Sequence, residues 1–177
     1  MAEQVRVAIS SDFLTAFARL PRQIQGKVTD FINKFRNNPA APGINYERIA
    51  GGSDNKICSV RIDNTYRGIV VRQPETGVYL LLWVDHHDEA YEWAAGKRCE
   101  VNPITGALQV YDVQTAAGCG SAEADAPKLF ADISDEDLLK LGVPGEQLAF
   151  VRSISGKEAF YNAESSMPED ADNLRKF

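Results

Sequence analysis

The fold is decided by the stretch SVRIDNTYRGIVV, residues 59–71. Apolar and polar residues alternate in its first part, as they do in a strand with one buried face. Asp63 and Asn64 then supply turn residues, whose side chains hydrogen-bond locally and tolerate left-handed backbone geometry. Tyr66 begins an apolar partner strand that continues to Arg72. The stretch therefore predicts a β-hairpin.

A further strand and a helix follow in VYLLLWVDHHDEAYEWA, residues 78–94. A turn at 74–77 precedes the most apolar block of the chain, Val78 to Val84, which is too short to cross a membrane. We expect this block to be the central strand of a three-stranded meander, buried on both faces. Residues 87–96 are predicted to form a helix that ends at Gly96.

A strand and two helices are predicted on the N-terminal side. Val5 to Ile9 alternates like a strand, and Ser11 or Asp12 supplies the N-cap of a first helix. A second helix is placed at 21–36, with Pro21 in its first turn. Its apolar stripe recurs at spacings of three and four: Ile24, Val28, Phe31, Ile32 and Phe35. Its opposite face carries cations: Arg22, Lys27, Lys34 and Arg36.

The C-terminal part is predicted to contain smaller elements. Residues 97–113 resemble a β-hairpin, and residues 114–127 are small and polar, as in a linker. Residues 128–177 are expected to form a small acidic helical segment that leads to a downstream domain. Ser134 supplies the N-cap of its first helix, and a second short helix is expected at 145–154.

Together with a strand at 44–49, these elements predict an α+β fold. Two N-terminal helices pack on a mainly antiparallel sheet over residues 1–96. A C-terminal β-hairpin and short acidic helices follow.

Composition and charge narrow the class of protein. The chain has 177 residues, of which 44% are hydrophobic and 25% charged, as in ordinary globular proteins. Residues 1–99 carry 13 basic against 11 acidic side chains, and residues 100–177 carry 6 against 14. The N-terminal half therefore offers a local basic surface in an acidic chain. The three cysteines, Cys58, Cys99 and Cys119, are widely spaced, which favours reduced thiols in the cytoplasm.

The two histidines of the chain, His86 and His87, stand side by side between carboxylates. Adjacent side chains point to opposite faces of a strand and diverge by roughly 100° on a helix, so both rings do not easily reach one ion. The spacing matches no metal-ligand motif, and we predict no metal site. Asp88 and Glu89 suit the first turn of a helix. The default interpretation is the end of a strand and the start of a helix.

A basic group lies on the neighbouring strands. Arg61, Arg67 and Arg72, beside Tyr66 and Tyr91, are residue types that hold a phosphate backbone and stack a base. The alternative is that these arginines pair with glutamates on a solvated face. No phosphate-loop or nucleophile motif occurs, so this chain is not expected to hydrolyse nucleotides.

The quoted motifs resemble the RelE/ParE toxin superfamily over about residues 4–96. In that family an arginine on one strand, a Tyr-Arg pair opening the next strand, and a histidine- or arginine-rich turn before a tyrosine recur. Arg61, Tyr66-Arg67 and the turn from His86 to Tyr91 occupy those places. The resemblance implies either cleavage of mRNA on the ribosome, as in RelE-like members, or binding of gyrase, as in ParE-like members. His86, His87 and Tyr91 would then be the catalytic candidates.

The chain departs from that family at the turn before the last helix. Metal-independent RNA cleavage needs clustered cations that stabilise the phosphorane. Here the turn carries Asp85, Asp88 and Glu89 around the two histidines, and carboxylates repel a scissile phosphate. We therefore expect a retained fold without competent nuclease activity.

A broader resemblance covers nearly the whole chain. INYERI, VNPITGALQVYDV and LFADISDEDLLKLGVP, with the two stretches quoted above, are similar to the N-terminal region of certain bacterial UvrD-like DNA helicases. This implies an accessory module whose motor, with its ATP and Mg²⁺, lies beyond Phe177, and no cofactor in this part. The expected partners are single-stranded DNA or RNA, or a protein, and no membrane. A stand-alone ribonuclease toxin and a ParE-like binder of a topoisomerase remain alternatives.

Overall fold

The computed structural model describes residues 5–113, 128–164, 167–168 and 174. The chain divides into two compact units, Met1–Lys97 and Arg98–Phe177. The predicted linker at 114–127 lies outside the described residues. The strands are β1 (Val7–Ile9), β2 (Glu47–Arg48), β3 (Ile57–Arg61), β4 (Tyr66–Arg72), β5 (Tyr79–His86), β6 (Lys97–Val101) and β7 (Leu108–Asp112). The helices are α1 (Ser11–Arg19), α2 (Arg22–Asn37), α3 (His87–Ala95), α4 (Asp135–Lys140), α5 (Leu148–Ser153) and α6 (Gly156–Glu164).

The first unit contains a five-stranded sheet in the order β1-β5-β4-β3-β2. β1 pairs with β5 in parallel, and the remaining pairs are antiparallel. The predicted α+β class, with helices on a mainly antiparallel sheet, is confirmed. The prediction that the Val78–Val84 strand is central is wrong, because β1 and β2 extend the meander on its two sides. β4 is the central strand, and five of its seven residues are buried.

α1 and α2 form the core of this unit together with the sheet. The Ser10 side chain accepts a hydrogen bond from Phe13 N at 3.1 Å, so the N-cap of α1 is Ser10 and not Ser11 or Asp12. Pro21 stands at the N-cap of α2 rather than inside its first turn. The predicted stripe of α2 faces inward, with Val28, Phe31 and Phe35 buried. The buried core is completed by Phe13, Ala16, Leu20, Ile44, Cys58, Val60, Tyr66, Val70, Leu81 and Val84.

β2 is shorter than the predicted strand at 44–49. Gly43 and Asn45 have φ angles of 91° and 44°, which place both in the left-handed region. Extended pairing is therefore interrupted before Glu47. Ile44 nevertheless stays attached to the sheet, because its carbonyl accepts a hydrogen bond from Arg61 N at 2.6 Å.

The second unit has its own sheet and core. β6 and β7 form the predicted hairpin. Buried Asn102 closes its turn by accepting hydrogen bonds from Ile104 N and Thr105 N, and it donates to Leu139 O at 2.9 Å. Ser134 caps α4 as predicted. The predicted helix at 145–154 consists of a 3-10 turn followed by α5.

α6 was not predicted, although Phe160 and Ala163 on it are buried. The second core is built from Phe130, Leu138, Val143, Val151, Ile154, Phe160, Ala163 and Leu174. Among the helices that the structure describes, none has the length and apolar character that a membrane span requires.

Candidate functional site

The candidate site lies where β5 ends and α3 begins. β5 runs two residues further than predicted and includes Asp85 and His86. His87 is the first residue of α3, and its backbone N–H donates to Thr65 O at 2.8 Å. This bond ties the start of α3 to the β3–β4 turn. The structure thus confirms a strand exit followed directly by a helix.

The two imidazoles are paired with different carboxylates. His86 Nδ1 lies 3.4 Å from Asp85 Oδ1, and His87 Nδ1 lies 2.8 Å from Asp88 Oδ1. Their side chains are 50% and 46% exposed. Within the described residues, no group of three or more His, Cys, Asp or Glu side chains is placed to hold a metal ion. The histidine pair therefore presents two separate imidazole–carboxylate contacts.

Each imidazole also stacks on a tyrosine. The ring centroids of His86 and Tyr66 lie 4.3 Å apart, and those of His87 and Tyr91 are at the same distance. Tyr66 is buried and belongs to the core. The Tyr91 hydroxyl lies 3.0 Å from Ser59 Oγ, which is itself buried. Tyr91 therefore anchors α3 to the sheet, and its hydroxyl is already engaged.

Arg61 and Arg67 are brought together by the strand register. Their Cα atoms are partners across β3 and β4, and Asp85 is the next partner of Arg67, on β5. The Arg67 guanidinium donates to Asp63 O at 2.8 Å and to Tyr66 O at 3.1 Å. It is thus held by the backbone of its own turn, and within the described residues it makes no ion pair.

Arg72, the third predicted arginine, does not join Arg61 and Arg67. Arg72 lies at the far end of β4, with its guanidinium carbon 5.6 Å from the centre of the Tyr79 ring. Arg61 Nε is buried and has no hydrogen-bond partner. α3 packs on β4 and β5, so the predicted open sheet face bearing Arg61, Arg67 and Tyr91 is partly covered.

Asp63 organises the turn between β3 and β4. Its Oδ1 accepts from Thr65 N and Tyr66 N, and its Oδ2 lies 2.6 Å from Lys27 Nζ. Burial by itself would raise the pKa of Asp63, but the hydrogen bonds from Lys27, Tyr66 and Thr65 lower it to about 2. Lys27 was predicted only as a surface cation of α2. Sequence carries no signal for this contact, because the two residues are 36 positions apart.

The cysteine of β3, Cys58, is a free and buried thiol. Burial raises the pKa of the Cys58 thiol, although a hydrogen bond with Tyr46 opposes the shift. The thiolate is the nucleophilic form, so burial makes the Cys58 side chain less nucleophilic than an exposed thiol. Cys99 is buried as well, and Cys119 lies outside the described residues.

No family model and no curated protein matches this chain. Solved structures that do match include the RelBE2 toxin–antitoxin complex from Mycobacterium tuberculosis, with 22% identity, 48% of this chain and 100% of that chain covered, and a TM-score of 0.39. The archaeal RelE–RelB complex from Pyrococcus horikoshii is 19% identical to this chain. The match covers 48% of this chain and 96% of that chain, with a TM-score of 0.39. A RelE mutant from E. coli in the free state is 12% identical to this chain. The match covers 52% of this chain and 95% of that chain, with a TM-score of 0.40.

Proposed function

We propose that the N-terminal unit is a binding module without nuclease activity, carried by a UvrD-like DNA helicase. One observation supports the absence of nuclease activity: within the described residues, the charged groups in contact with the two imidazoles are Asp85 and Asp88. Metal-independent phosphodiester cleavage needs cations at the scissile phosphate, where negative charge develops. Carboxylates at that place raise the barrier instead of lowering it.

The proposed ligand of the module is a single-stranded nucleic acid. The basic balance of residues 1–99 and the half-exposed imidazoles suit a chain of phosphates and bases. Reduced, buried Cys58 fits a cytoplasmic protein.

ATP and Mg²⁺ belong to the proposed motor. The presence of this motor is tested by reading the gene beyond Phe177: a phosphate-loop motif there supports the helicase, and a stop codon contradicts it.

The binding proposal is tested by fluorescence anisotropy with labelled oligothymidylate and oligouridylate across a range of salt concentrations. We expect micromolar or weaker binding, with an affinity that falls steeply as salt rises, because phosphate contacts release counterions. An affinity that does not change with salt contradicts phosphate recognition. Binding to a topoisomerase subunit, with no affinity for either oligonucleotide, would favour the ParE-like alternative.

A second candidate function is ribonuclease activity of the RelE type. It is favoured by the half-exposed ring of His87, which stacks on Tyr91, because an imidazole is a common general acid or base in catalysis. Under this alternative, His87→Ala abolishes RNA cleavage, whereas Thr15→Ala on the exposed face of α1 does not.

A further inference from the structure

A groove lies in the first unit between the edge strand β1 and the second half of α2. It consists of two cavities of about 350 and about 200 Å³, which share Val5 and Arg6. The larger cavity is lined by β1 and by Ile32 and Arg36 of α2. The smaller one is lined by residues 38–40 and by the turn between β4 and β5. We name the two cavities together the α2–β1 groove.

The lining of the α2–β1 groove is basic. It includes three arginines, all of them exposed: Arg6, Arg36 and Arg72. Among the described residues, no Asp or Glu lines either cavity, and none of the three arginines makes an ion pair. The groove therefore presents positive charge that the first unit itself does not neutralise.

Two of the guanidinium groups are held at the groove by uncharged partners. Arg6 Nη2 donates a hydrogen bond to Thr76 O at 2.7 Å. The guanidinium carbon of Arg72 lies 5.6 Å from the centre of the Tyr79 ring. Thr76 and Tyr79 both line the smaller cavity. These contacts orient the arginines and leave their charge available, so less side-chain freedom is lost when an anion binds.

The strand register places the cations in a row. Val7 on β1 and Arg72 on β4 are both Cα partners of Tyr79 on β5. Neighbouring strands lie about 4.8 Å apart, so the backbones of Val7 and Arg72 are about 10 Å apart. Arg6 directly precedes Val7, and Arg36 lies on the other side of Arg6, in the larger cavity. A row of cations along a groove suits a chain of phosphates better than a single charge.

An exposed aromatic ring lies next to this row. Tyr46 is 39% exposed, and its ring meets that of Tyr79 edge to face, with 6.1 Å between the centroids. Bases of any sequence stack on such rings. The arginine row and Tyr46 thus combine the two features by which proteins bind single strands.

We propose that the α2–β1 groove binds the backbone of a single-stranded nucleic acid, with Arg36, Arg6 and Arg72 on its phosphates. One base stacks on Tyr46. The inference rests on the proposed binding function and locates it.

The groove lies at the end of β4 opposite to the imidazoles. Arg72 is six residues from Tyr66, on which His86 stacks, so about 20 Å of strand separates the two places. A nucleic acid held by the arginine row therefore has its nearest phosphates far from His86 and His87. Binding in the groove is compatible with the absence of cleavage.

The test measures the anisotropy of labelled oligothymidylate with the full chain and its variants across a range of salt concentrations. Arg6→Gln, Arg36→Gln and Arg72→Gln each weaken binding by about three- to fivefold and reduce the slope of the salt dependence by about 0.7, because each removes one phosphate contact. The matched control is Arg22→Gln. Arg22 carries the same charge on the same helix, about 21 Å from Arg36, and lines neither cavity. This control changes affinity by less than twofold.

A pair of variants at Tyr46 separates stacking from charge. Tyr46→Ala weakens binding by about fivefold and leaves the slope of the salt dependence unchanged, because it removes a ring and no cation. Tyr46→Phe keeps the ring and binds within about twofold of the wild-type chain. Equal affinities of the two variants contradict the stacking contact.

The outcomes separate the groove from the binding function. If the wild-type chain binds and the three arginine variants bind as tightly, the groove is wrong and the binding function stands. If the wild-type chain binds no oligonucleotide, both are wrong. Polyglutamate that displaces the oligonucleotide at an equal concentration of charge would assign the groove to an acidic peptide instead. Arg6 and Arg36 are exposed, so their variants test the groove even if Arg72→Gln lowers stability.

Discussion

Asp63 shows how one side chain fixes the geometry on which the site depends. Its carboxylate closes the β3–β4 turn through Thr65 N and Tyr66 N, and this turn sets Arg61 opposite Arg67. The turn and the pairing could be predicted, because Asp-Asn between two alternating runs has a local cause. The hydrogen-bond acceptors of Arg67 could not be predicted, because alternation along a strand predicts the direction of a side chain and not its partner.

The pKa of Asp63 predicts a stability that depends on pH. The folded pKa of about 2 lies below the ordinary value of 3.8, so the carboxylate stabilises the fold above pH 4. This contribution is lost as the pH falls from about 4 to 2. Asp63→Asn should cost about 1 kcal/mol at pH 7, since Lys27 is half-exposed, and little at pH 2. Urea unfolding at the two pH values measures the difference.

Asp30→Asn is the control for that measurement, because Asp30 makes no ion pair within the described residues. Asp30→Asn should leave the free energy of unfolding nearly unchanged at both pH values. Equal costs of Asp63→Asn at pH 7 and pH 2 would show that the carboxylate charge contributes nothing.

At the scale of the elements, periodicity predicted helices and strands better than it predicted their ends. The stripe of α2 is correct because burial of one face dictates its spacing. β2 is shorter than expected because Gly43 and Asn45 adopt left-handed backbone that a hydrophobic pattern does not reveal. α6 was missed because the side chains described as buried on it, Phe160 and Ala163, are too few to show a period.

Two glycines should respond in opposite ways to the same substitution. A Cβ on Gly68 of β4 would lie 3.0 Å from Val60 Cγ2, and Val60 is fully buried. Gly68→Ala should therefore destabilise the chain by about 1–2 kcal/mol. A Cβ on Gly26 of α2 meets no atom within 4 Å, and Gly26→Ala should stabilise it by about 0.5–1 kcal/mol. Denaturant midpoints give both values, and a neutral Gly68→Ala would show that β3 yields without cost.

At the scale of the whole molecule, the described part of the chain contains two hydrophobic cores that share no residue. The first is built from residues 7–84 and the second from residues 130–174. The division could be anticipated from the change of pattern after Gly96. The composition of the second core could not, because its apolar residues are dispersed in an acidic segment.

Separate cores predict that residues 1–96 fold without the rest of the chain. The five-stranded sheet, α1, α2 and α3 are all contained in that fragment. It should unfold in one cooperative thermal transition, observed by circular dichroism and by the fluorescence of Trp83 and Trp93. A fragment that lacks dispersed amide signals in its NMR spectrum and shows no thermal transition would mean that the first core alone does not hold the fold.

Cleavage of mRNA on programmed ribosomes, read by primer extension, tests most directly whether the fold lacks nuclease chemistry. The acidic surroundings of His86 and His87 predict full-length transcript after incubation with the purified chain, at concentrations where the chain binds single strands. New 5′ ends that appear with the wild-type chain and disappear with His87→Ala and Arg61→Ala would contradict the account.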